Sequence, residues 1–201
     1  MACNLTAGRL VDCKDQIGGL IAVYFVDTYA NDIEASATIA NLEMTAGGFT
    51  AWSSYGTTTG STQTLFKYDL RPNLSSMTIN TNGDPATGTS FWTQTLSLTL
   101  QKLNHDTANQ LKLITYNRAQ IFVEDSNHNC FLLGMENGCD MTGGTIVTGA
   151  GKGDLSGYTW EFTAEERYPV IQLAPSAGVA TTDAPFDGLS DESDITIVAG
   201  T

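Results

Sequence analysis

The residues of this chain that could do chemistry are two histidines, four cysteines, some adjacent acid pairs and one glycine-rich stretch holding a lysine. Nucleophilic catalysis needs a serine, cysteine or threonine beside a base. His105 and His128 both stand in turn-forming contexts, LNHD and SNHN, and no G-x-S-x-G elbow is present. Asp125-Ser126-Asn127-His128-Asn129 spaces its oxygens like the start of a calcium loop. It lacks the glutamate that closes such a loop, and a hairpin turn accounts for it more simply. Gly149 to Asp154, GAGKGD, resembles a phosphate cradle, but neither a Ser or Thr after Lys152 nor a helix follows it. Cys3, Cys13, Cys130 and Cys139 match no zinc or redox spacing. Buried free thiols are expected, with an oxidised Cys3–Cys13 or Cys130–Cys139 pair as the alternative. Glu124-Asp125 and Glu165-Glu166 read as surface acids with no reason for a raised pKa. The expectation is a protein without catalysis, metal or cofactor.

Whatever the function, the elements that carry it are β-strands. At 201 residues the chain makes one domain, and 41% apolar residues with only 15% charged suit a sheet with many turns. Twenty-two acids against nine bases leave a net charge of −13. That argues against nonspecific nucleic-acid binding, which needs Lys and Arg against phosphate, while suiting a surface that must not stick to DNA. The amino end is polar, without the apolar core of a signal peptide, and the longest apolar run, residues 20–26, is too short to span a bilayer. Assembly in a cytoplasm and no membrane partner are therefore expected.

In order, LIAVYFV (20–26) reads as a strand buried on both faces, and residues 35–45 alternate weakly. Residues 46–64 are rich in Gly, Ser and Thr, yet carry Phe49, Trp52 and Tyr55 at intervals of three. They form either a surface loop whose rings tuck back or an arm that becomes ordered against a partner. Strands are expected at 65–70 and 75–80, with a turn at Asn82-Gly83-Asp84-Pro85. In FWTQTLSLTLQKL (91–103), Leu96, Leu98 and Leu100 point one way and Thr95, Ser97 and Thr99 the other. Residues 106–116 carry the one helical pattern, with Asp106 as N-cap and Ala108, Leu111 and Ile114 or Thr115 as the face laid on a sheet. From 118 to 162 the β pattern resumes, punctuated by glycines; 168–173 and the DITIVAGT end supply short strands. The composition shifts after Ala174 to Pro, Ala, Thr and acids without a base, so 1–173 is the main domain and 174–201 an acidic extension.

The helix, the strand 119–125, the turn into Phe131-Leu132-Leu133-Gly134-Met135, Thr142-Gly143-Gly144-Thr145, the loop 149–154 and Gly157-Tyr158 follow one another in a set order. With Gly18-Gly19-Leu20 ahead of the first strand, this order resembles that of the tail tube proteins of tailed bacteriophages over residues 17–173. The likeness is one of pattern, without a catalytic motif. It implies a mainly β fold of two packed antiparallel sheets, a sandwich or barrel, with one flanking helix. It also implies homohexameric rings stacked into a virion tail tube that conducts DNA without binding it specifically. Further partners would be other tail proteins: sheath or tail terminator, baseplate and tape measure. By position, 46–64 would be the loop reaching the next ring, with Phe49, Trp52 and Tyr55 as contact candidates. Edge strands that pair head to tail and close a ring are thereby protected from uncontrolled pairing. The alternative is a glycan-binding or adhesive β-sandwich of a virion or cell surface, with Trp52, Trp92 and Trp160 as stacking platforms.

Overall fold

A computed structural model describes residues 16–26, 63–173, 185–186 and 195–200. In chain order its elements are β1 (Leu20–Val26), β2 (Gln63–Asp69), β3 (Ser76–Asp84), β4 (Thr89–Gln101), α1 (His105–Tyr116), β5 (Ile121–Asp125), β6 (Cys130–Leu133), β7 (Asp140–Val147), β8 (Gly157–Glu166), β9 (Ile171–Gln172) and β10 (Ile195–Ala199). The strands make two packed sheets, one ordered β10-β2-β1-β5-β6-β9 and the other β3-β4-β8-β7. This is the β-sandwich with one helix expected from the sequence. One pairing departs from the antiparallel rule: β10 runs parallel to β2.

The apolar run of β1 follows from its place. Val23 and Phe25 face the four-stranded sheet, in a core with Leu96, Leu98, Trp160 and Phe162. Tyr24 and Val26 face the opposite way, against Leu65, Phe122, Leu132 and Phe186. A strand covered on both faces has no solvent side and shows no alternation. Strand β4 does alternate: Leu96 and Leu98 are fully buried while Ser97 is exposed. Its thirteen residues pair with β3 on one side and β8 on the other, which fixes the register.

Three local expectations shift. The turn placed at 82–85 falls at 85–88, because Asn82 and Gly83 continue the ladder opposite Phe91 and Ser90. Asp84 then caps the turn, its carboxylate accepting the Ala86 N–H at 2.9 Å. The helix is capped by Asn104, not Asp106. The Asn104 side chain accepts the Asp106 N–H at 3.3 Å, leaving Asp106 in the first turn, where an acid suits the helix dipole. The covered helix positions are Leu111 and Ile114, which pack against the core, while Ala108 stays exposed. The Tyr158 hydroxyl ties this helix start to β8 by accepting the Asn104 N–H at 3.3 Å and donating to its carbonyl at 3.0 Å.

The weak strand pattern at 35–45, residues 46–62 with Phe49, Trp52 and Tyr55, and Cys3 and Cys13 lie outside the described residues; the last two positions of the segment expected at 46–64, Gln63 and Thr64, already belong to β2, where they pair with β10. Cys130 and Cys139 are buried and free, as expected of both. The segment after Ala174 contributes to the body of the fold at two described points. β10 extends the six-stranded sheet, and Phe186 stands edge-on against Tyr24 and Phe122, centroids 5.2 Å away in each case. Truncating Phe186 to alanine removes this cover. Phe186→Ala is expected to cost about 3 kcal/mol or more in urea unfolding, as for other buried aromatics, with the native far-ultraviolet spectrum unchanged.

Candidate functional site

Polar side chains buried inside a sandwich need partners, so their positions show where the fold is committed. The first set surrounds the crossing from one sheet to the other, residues 134–139. Gly134 turns the chain at φ +66, in a spot where a Cβ would lie 2.6 Å from the carbonyl carbon of Gly138. The N–H of Gly134 donates to Gln94 Oε1 at 3.0 Å. The N–H groups of Glu136 and Asn137 donate to the Glu166 carboxylate at 3.2 and 2.9 Å. Gln120 Nε2 donates to the Met135 carbonyl at 2.8 Å. Gln94 and Glu166 come from β4 and β8, so two side chains of one sheet hold the backbone leaving the other.

Glu166 was expected at the surface and is buried at 3% exposure. Loss of solvent raises its pKa, against the two backbone N–H groups that favour its charge. Glu165 and Glu166 sit on opposite faces of β8, so only one of them can reach solvent.

The second set lies under Phe186. Glu124 is 2% exposed and also corrects the surface expectation. Its carboxylate accepts the Tyr24 hydroxyl at 2.8 Å and pairs with His128 Nδ1 at 3.0 Å. Burial first, and the Glu124 charge second, push the Tyr24 phenol far above its usual value. His128 occupies the left-handed region, φ +61, in the β5–β6 turn. Asp125 builds that turn by accepting the N–H groups of Asn127 and Asn129, both at 2.8 Å. An acid orienting a histidine is two thirds of a hydrolytic triad. Among the described residues no serine, threonine or cysteine hydrogen-bonds to His128, and burial pushes the nearby Cys130 thiol far above the thiolate range. His105 is exposed on the helix, beside Asn109 at 3.3 Å.

The glycine loop does form an anion cradle, and its anion is internal. The N–H groups of Ala150 and Gly151 donate to Asp154 Oδ2 at 2.9 and 2.6 Å, which lowers the Asp154 pKa. Among the described residues no group of three or more metal-ligating side chains converges.

The remaining surface of note is the outward face of the four-stranded sheet. Register places Thr78 and Asn80 of β3, Thr93, Thr95, Ser97 and Thr99 of β4, and Thr159, Glu161, Thr163 and Glu165 of β8 on that side. Strand β7 adds Asp140, Thr142 and Thr145, the last two hydrogen-bonded to Thr163 and Thr159. These four strands present hydroxyls, amides, the exposed ring of Phe91 and four carboxylates outward, with Asp84 of β3 as the fourth, and without one lysine or arginine among those positions. Beside the end of β7, Arg118 is ion-paired with Asp140 at 3.4 Å, and Lys102 and Arg167 directly follow β4 and β8. Trp160 and Trp92 point the other way, opposite Leu98 and Glu166 in the inward register, and Trp160 is fully buried. No family model, curated protein or solved structure gives a match to this chain.

The sheet-to-sheet clamp generates a pH prediction. A carboxyl whose folded pKa is raised holds its proton more tightly folded than unfolded. Stability is therefore lost as pH climbs from the unfolded value, about 4.3, through the raised folded one, and then levels off. Urea unfolding of the native chain and of Glu166→Gln across a pH series should show the native chain losing ground to the variant over that interval. A constant difference at all pH values would mean that Glu166 carries no burial penalty.

Proposed function

We propose that the chain is the subunit of a phage tail tube, a structural conduit without catalysis, whose copies form stacked hexameric rings. The observation that carries this reading is the base-free outward face of the four-stranded sheet. A wall that DNA must slide along has to hydrate phosphates without holding them. Threonine, serine and asparagine do so, and Glu161, Glu165 and Asp140 add repulsion. A second feature supports it. The sheet has an even number of antiparallel strands, so its edges β3 and β7 run in opposite directions. Rotated copies can then join edge to edge with the antiparallel alternation unbroken, and ring closure leaves no free edge. In the virion, further partners would be sheath or tail terminator, baseplate and tape measure. The glycan-binding alternative loses two of its candidate platforms, since Trp92 and Trp160 face inward.

Electron microscopy of the concentrated protein tests the reading directly: rings or tubes are expected, and a chain that stays monomeric and binds glycans would overturn it. The charge argument has its own test. Assembled native protein should not retard duplex DNA in gel shifts at low salt, whereas Glu161→Lys/Glu165→Lys assemblies should, with binding that fades as salt rises. Retardation by the native assembly would remove the repulsive-wall argument. Deletion of residues 46–62, which stops short of β2, should leave a folded subunit that forms rings but stacks poorly; tubes of native length from the deleted protein would rule out an inter-ring arm.

A further inference from the structure

Between α1 and the inward face of β1 and β2 runs a groove of about 550 Å³, a size that takes a drug-sized ligand. Phe25, Phe66 and Tyr68 line it from the sheet, and Leu113 and Ile114 from the helix. Leu113 is 62% and Phe66 37% exposed. Val198, which β10 pairs with Phe66, continues this apolar surface at 42% exposure. Among the described residues no charged side chain lines the groove; its polar groups are the Tyr68 hydroxyl and the amides of Gln110 and Asn117. A contiguous apolar surface of this kind marks a place where something binds.

The chain supplies an occupant of matching chemistry. Val26, at the end of β1, lines the groove, and residues 27–62 join it to Gln63 at the start of β2. Phe66 stands three residues beyond Gln63, about 10 Å along the strand. Tyr55 and Trp52 precede Gln63 by eight and eleven residues, so even a fully extended chain carries them no farther than about 29 and 40 Å from it. A tether of that length keeps the rings beside the groove at a roughly millimolar effective concentration. In a chain of net charge −13, residues 46–62 carry no charge at all, and Phe49, Trp52 and Tyr55 are their only large apolar side chains. Seating those rings in an uncharged groove takes no charge out of water on either side. The amides of Gln110 and Asn117 offer partners to an indole N–H and a phenol O–H, which need them once buried. We propose that in the free subunit Trp52 and Tyr55 seat in the groove between α1 and β2 of their own chain. There they cover Phe66 and Leu113, and a partner that uses the segment as an arm has first to draw the rings out. The contact lies within one subunit and does not rest on the ring reading.

The test uses the full-length protein, kept dilute and monomeric, in two arms. Tyr55→Cys/Leu113→Cys under mild oxidation should give a disulfide between positions 55 and 113, found by peptide mapping in the band that runs as a monomer and absent from each single variant. In the second arm, Leu113→Asp places a charge in the groove at an exposed helix position. The Trp52 emission, taken as the difference from Trp52→Phe in each background, should then shift to the red and quench more readily with acrylamide. A 55–113 link that is absent, or found only between copies, overturns the proposal. So does a Trp52 emission that is already that of a water-exposed indole in the native chain, or one that Leu113→Asp leaves unmoved. None of these outcomes decides whether rings form at higher concentration, so the ring reading stands or falls separately.

Discussion

The constraint on which this fold rests is the passage of the chain from one sheet to the other at residues 134–139. A backbone that crosses between packed sheets carries its N–H and C=O groups away from water, and each must find a partner. Here the N–H groups of Gly134, Glu136, Asn137, Gly138 and Cys139 all donate, to Gln94, Glu166, Glu166, Gly134 and Ala119. Two of these acceptors are buried side chains that would otherwise be out of place inside a sandwich. The apolar core gives the sheets a reason to pack, but the effect is non-directional. Gln94 and Glu166 supply direction, because they can reach the crossing in one register of β4 and β8 only.

That requirement explains why some of the molecule was legible in the sequence and some was not. Alternation in β4 and the double-sided apolar run of β1 are local signals, and both elements stand where the pattern placed them. The helix was legible from its period, and its cap was misplaced by two residues because Asn104 and Asp106 are both good caps. The choice falls to Tyr158, which binds the backbone of Asn104 from a strand more than fifty residues away. The partners of the buried acids were not legible. Glu124 lies in a strand buried on both faces, where no alternation marks which of two adjacent acids turns inward; Glu166 continues the inward parity of Tyr158, Trp160, Phe162 and Ala164, but the alternation does not show what it meets there. Those partners are Tyr24 and His128 for one, and a turn backbone for the other. The parallel β10 was equally hidden, since a five-residue strand does not announce its neighbour.

The same reasoning separates two roles for acids in one chain. Inside, a carboxylate acts as an acceptor that ties backbone or side chains together, and its charge is a cost that its partners offset. Outside, on β8, Glu161 and Glu165 alternate with threonines and meet no base in the sheet register. Residues four apart on a strand stand about 13 Å from one another. That exceeds the Debye length of about 8 Å at physiological salt, so each acts as a separate charge on its surroundings. What they do depends on what faces them.

For a conduit the decisive quantity is then local. Duplex DNA presents one phosphate per about 1.7 Å of its axis and binds wherever lysines or arginines displace its counterions. Hydroxyls do not displace counterions, so a threonine face contributes hydration without adhesion, and sparse carboxylates suffice to keep phosphates from settling. A dense acidic wall would add little within one screening length and would strain a closed ring by self-repulsion. For the proposed conduit, the proportion on this sheet, many hydroxyls and four acids, is what that balance favours. In the proposed assembly a surface that repels phosphate does not itself hold copies together, so cohesion would fall to other parts of the subunit, such as the inward side of the same sheet, where Ile146 is exposed.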